Sequence, residues 1–190
     1  MNVKKNLPSL LRGAIAAAAL AALPGLASAA DLVQNGGFET GDLSGWNEIG
    51  NTGYAGVACD GAIAGDCEAY FGPVGSLGGI SQSLATTAGT DYTIRLVFNS
   101  DGVVPGAFKV DFGGQTLLSL TDPAAAGNQT FVFHALADAP ATLLQLQFQD
   151  DSGVMFLDGV QVSAVPEPAN LALMGLGLLG LAASRRRKAR

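Results

Sequence analysis

The chain has a single histidine, His134, so a relay that depends on imidazole has one place to sit. The Gly-x-Ser-x-Gly turn that presents a hydrolase serine does not occur in the sequence. His134 ends the aromatic run Gln129–His134, where a packed or half-exposed ring is the expected fate. Paired carboxylates can hydrolyse glycosidic bonds, and the visible pairs are Asp150 with Asp151 and Asp60 with Asp66. Adjacent acids between apolar runs are also ordinary turn formers. The sequence therefore predicts no catalytic residue and no enzymatic activity.

Two other residue sets carry chemistry. Cys59 and Cys67 are the only cysteines and enclose seven residues. In an oxidising compartment such a pair closes to a disulfide; a free pair is the alternative, and zinc lacks the further ligands it needs. Sugar rings stack on flat aromatic faces, and the candidates are Trp46, Tyr54, Tyr70 and Tyr92. Trp46 is expected to plug the core. Tyr54, beside Gly53 and Gly56, is the candidate for an exposed ligand-binding ring.

The ends of the chain say where these residues work. Residues 1–29 read as a signal peptide: Lys4, Lys5 and Arg12, then an apolar run Ala14–Leu23, then Ala27-Ser28-Ala29, with signal peptidase cutting after Ala29 or Ala30. At the other end Leu171–Ala183 is uncharged and is followed by Arg185-Arg186-Arg187-Lys188, a basic flank that stays in the cytoplasm. Residues 30–165 between them make one domain with room for one core. It holds two basic residues, Arg95 and Lys109, against fifteen acids, a formal charge of −13. That charge repels phosphate backbones and excludes nucleic acid as a partner.

Within the domain, apolar alternation with period two predicts strands over Gly79–Leu84, Asp91–Phe98, Ala107–Phe112, Thr116–Leu120, Gln129–His134, Thr142–Phe148 and Met155–Val162. Leu144, Leu146 and Phe148 alternate most clearly with Gln145, Gln147 and Gln149. Turn sequences such as Gly113-Gly114 and Asp151-Ser152-Gly153 predict antiparallel neighbours. Helical periodicity is confined to the two apolar ends. The expected fold is all-β: a two-sheet jelly-roll-like β-sandwich of about eight strands, flanked by an N-terminal signal helix and a single C-terminal membrane helix. Leu117–Leu120 and Phe131-Val132-Phe133 break strict alternation, which leaves open a doubly buried strand or a bulge.

Two stretches resemble known families. Val165-Pro166-Glu167-Pro168, the apolar segment and the arginine cluster together resemble the PEP-CTERM sorting signal of Gram-negative bacteria. The resemblance makes 166–190 a sorting tail, with Pro166, Glu167 and Pro168 as the motif processed by exosortase. It implies transient inner-membrane anchoring, then delivery to the cell surface or extracellular matrix. Leu32–Trp46 resembles the opening of carbohydrate-binding-module-like jelly rolls, and Met155–Val162 resembles their last strand, with Gly159 where the usual pattern has a second acid. That likeness implies a structural calcium held by Glu39 and Asp158. The functional expectation is a non-enzymatic cell-surface or matrix protein associated with extracellular polysaccharide. The alternative is a carbohydrate-binding module of the jelly-roll type.

Overall fold

A computed structural model describes residues 29–166 of the chain. The expected signal and membrane helices lie outside the described residues, as do Glu167 and Pro168. Ten strands follow one another: β1 (Asn47–Gly50), β2 (Ala55–Ala58), β3 (Glu68–Phe71), β4 (Gly78–Ala85), β5 (Thr90–Ser100), β6 (Gly106–Phe112), β7 (Gln115–Thr121), β8 (Gln129–Ala137), β9 (Ala141–Asp150) and β10 (Met155–Ala164). They form two five-stranded sheets, β1-β4-β9-β6-β7 and β2-β3-β10-β5-β8, and the pairings are antiparallel. This is the expected jelly-roll-like sandwich.

The seven expected runs are β4 to β10. The three strands the periodicity missed, β1 to β3, have four residues each, too few to show a period. The core lies between the sheets because alternation puts Leu144, Leu146 and Phe148 of β9 on one inner face and Ile94, Leu96 and Phe98 of β5 on the other, all at most 1% exposed. Four phenylalanines cross the interface: Phe71 stacks on Phe148 and Phe98 on Phe108, each pair with ring centroids 4.2 Å apart. The open alternatives also resolve. In β7 the register with β6 skips Leu117, which is a bulge. In β8, Phe131 and Phe133 face inward while Val132, 53% exposed, faces out, so alternation holds with an apolar residue on the wet side.

The opening segment closes the sandwich at one end. Asp31 bridges to Ser163, its carboxylate accepts the Val162 amide, and Gly36 O accepts the Val160 amide. A Cβ at Gly36 would overlap the Val160 carbonyl, so only glycine lets the backbones come this close. Asn35 donates to the carbonyls of Asp42 and Ser44, folding the segment so that Phe38 and Trp46 drop into the core with their rings 6.0 Å apart. Trp46 is the expected plug, its indole N–H satisfied by Asn35 O.

Candidate functional site

Tyr54 stands on the turn between β1 and β2 in left-handed backbone, with its side chain 68% exposed. Its carbonyl accepts the Gly72 amide, which prolongs the β2–β3 ladder by one bond. The ring lies over Gly72, where a Cβ would sit 2.8 Å from Cδ1. Tyr70 lies in the same way over Gly56, and the two tyrosine rings meet at 5.6 Å. Two glycines thus provide the floor for two aromatic rings. Tyr54, Gly72, Val74, Asp101, Ser152 and Gly153 line a cleft of about 460 Å³. A flat ring beside a carboxylate and a hydroxyl is the chemistry that grips a sugar, whose C–H face stacks and whose hydroxyls donate.

The loops behind the cleft are organised by acids. Asp101 accepts the amides of Val103 and Val154, and Asp151 accepts the amide of Gly75. Asp150 is different: it points into the sandwich, is 0% exposed, and neither carboxyl oxygen has a hydrogen-bond partner among the described residues. Asp101 Oδ2 and Asp150 Oδ1 crowd the space beside Gly153, where a side chain would strike both. Burial, and then the nearby charges of Asp101 and Asp151, push the Asp150 carboxyl up to about 6. Asp150 is thus buried, while its neighbour Asp151 is partly exposed and holds the Gly75 amide.

Cys59 and Cys67 form the expected disulfide. The loop it closes sits on the expected calcium ligands. Glu39 accepts the amides of Asp66 and Cys67, Asp158 accepts those of Ala64 and Gly159, and Glu68 accepts that of Ile63. Burial raises both Asp158 and Glu68, and the charge of Glu39 adds to the rise at Asp158 as that of Asp158 adds to the rise at Glu68. Glu39 and Asp158 are thus brought together as expected, with Glu68 beside them. Their oxygens face backbone amides of the loop and of Gly159. Gly159 has left-handed backbone (φ 57°) at the register shift between Asp158 and Gln161, a conformation that glycine takes without steric cost.

His134 is exposed on β8 and shares a hydrogen bond with Thr93 of β5. Sequence reasoning missed Asp101; it had Tyr70 among the aromatic candidates and Asp150 in a carboxylate pair, but not the packing of Tyr70 against Tyr54 or the meeting of Asp150 with Asp101.

Residues 164–188 match the family described as the PEP-CTERM protein-sorting motif. No curated protein sequence matches the chain. Among solved structures the fold is similar to TmCBM61 in complex with β-1,4-galactotriose (TM-score 0.57, 19% identity, 72% of this chain and 100% of that one). It is also similar to the CBM22-1 xylan-binding domain of Paenibacillus barcinonensis Xyn10C (TM-score 0.52, 19% identity, 74% and 97%). A third similar structure, arabinose-bound MgGH51 α-L-arabinofuranosidase, matches over 26% of its own length (TM-score 0.54, 15% identity, 72% of this chain). The chain thus carries a PEP-CTERM sorting motif after a jelly-roll sandwich with the fold of carbohydrate-binding modules.

Proposed function

We propose that this is an exported protein, sorted through its C-terminal motif, that binds an extracellular polysaccharide at the Tyr54 cleft without cleaving it. The observation that carries the reading is the Tyr54 ring, laid over Gly72 at the mouth of a cleft that also holds Asp101 and Ser152. An exposed aromatic of this kind does nothing for the core. The fold shared with sugar-binding modules supports the same reading, and the sorting motif supports export, exosortase processing and a place in the cell envelope. The domain charge of −13 favours a neutral glycan over an acidic one. The acid in the cleft, Asp101, is engaged by the Val103 and Val154 amides, and the one strongly perturbed acid, Asp150, is buried.

Affinity electrophoresis against a panel that includes β-1,4-galactan, xylan and acidic polysaccharides tests this. Retardation by a neutral glycan that Tyr54→Ala abolishes is the expected result. Retardation unchanged in Tyr54→Ala would move the site elsewhere, and no retardation by any glycan would leave a matrix protein acting by surface display.

A further inference from the structure

We propose that the disulfide-closed loop takes the place of a cation among Glu39, Glu68 and Asp158, so that the junction between the opening segment and the last strand is locked by backbone amides and needs no metal.

Four amides within five residues aim at the three carboxylates: Ile63 N at Glu68 Oε2 (3.1 Å), Ala64 N at Asp158 Oδ2 (2.7 Å), and Asp66 N and Cys67 N at Glu39 Oε1 (3.0 and 3.3 Å). Successive amides converging on anions form a fixed positive concavity. A cation bound to the same oxygens would face the positive ends of these N–H groups. The remaining Asp158 oxygen takes the Gly159 amide at 2.6 Å, a bond supported by the left-handed turn at that residue. No side-chain cation substitutes for the amides, because the only ion pair among the described residues is Lys109–Asp111.

The same seating shows at Gly65, where a Cβ would overlap Glu39 Oε1, so a side chain there would push the carboxylate off the Asp66 and Cys67 amides. Asp158 is 1% exposed and Glu68 7%, so bulk water does little to neutralise them. The amides carry that task, and the Cys59–Cys67 bond holds the loop that presents them.

Two glycines of the loop make the test. Both Gly61 and Gly65 have left-handed backbone (φ 86° and 69°), so alanine strains each alike, but a Cβ at Gly61 meets nothing within 4 Å. Thermal unfolding of the full-length oxidised chain in detergent should show a Tm that calcium and chelator leave unchanged at equal ionic strength. Gly61→Ala should lower Tm by roughly 3–8 °C through backbone strain alone, and Gly65→Ala by about twice that with the disulfide intact. Equal losses in the two variants would overturn the seating of the loop on Glu39. A saturable rise of the parent Tm with calcium, lost in Asp158→Asn, would show that a cation shares the site and would overturn the proposal. Glycan binding at Tyr54 is a separate measurement that neither result decides.

Discussion

Replacing Asp150 with asparagine should make the protein more stable at neutral pH, although it alters a fully buried residue at the end of β9. The folded-state carboxyl is raised from the ordinary 3.8 to about 6, mainly by desolvation and then by Asp101 and Asp151. A raised acid binds its proton more tightly in the folded chain than in the unfolded one. Its favourable contribution is therefore complete below pH ~4 and is lost as pH climbs through about 6. The difference between 3.8 and about 6 corresponds to about 3 kcal/mol at most. Asparagine has the same shape and no charge, but its NH₂ needs an acceptor in that buried site; Asp101 Oδ2, crowded beside Gly153 with Asp150 Oδ1, is the nearest candidate. Allowing about 1 kcal/mol for imperfect pairing, Asp150→Asn should gain about 2 kcal/mol at pH 7.5 and match the parent within about 1 kcal/mol at pH 4. Urea unfolding across pH 4–8 measures this, and the variant's curve should be flatter between pH 4 and 7. A variant less stable than the parent at pH 7.5, or an unchanged slope, would mean that the buried carboxylate is neutralised by a partner and would refute the reasoning.

Other consequences follow from the same packing. Phe148→Ala removes the ring that stacks on both Phe71 and Phe108, and should cost about 3–5 kcal/mol in chemical unfolding. Gly159→Ala forces a side chain into left-handed backbone and should cost about 1–2 kcal/mol while leaving glycan retention intact. Glu167→Ala, in the sorting motif, should leave uncleaved chain in the inner membrane, read as intact mass by fraction; normal release of the variant would reduce the tail to a plain anchor.

Much of the sandwich was legible because long strands write their burial into the sequence. β9 alternates leucine and phenylalanine with glutamine over six residues, and the Gly113-Gly114 turn that joins β6 to β7 has both glycines at positive φ. The short strands β1 to β3 left no such record, and they are the ones that carry Tyr70 and frame Tyr54. Tyr54 was readable as exposed because a tyrosine among glycines has little to pack on. Asp101 and Asp150 were not readable together, since they lie 49 positions apart and meet only when β5 and β9 end at the same rim. The Glu39 and Asp158 pairing was visible through the two ends of the domain. What occupies it was not, because backbone amides have no signature in a sequence.

The central claim is that Tyr54 and its cleft bind a glycan. Isothermal titration of the protein with the oligosaccharide form of whichever neutral glycan retards it, beside Tyr54→Ala and the distant surface variant Val132→Ser, tests it most directly. The expected result is at least a tenfold loss of affinity in Tyr54→Ala, about 1.4 kcal/mol, with Val132→Ser unchanged and both variants melting with the parent. Equal affinity in parent and Tyr54→Ala would contradict it.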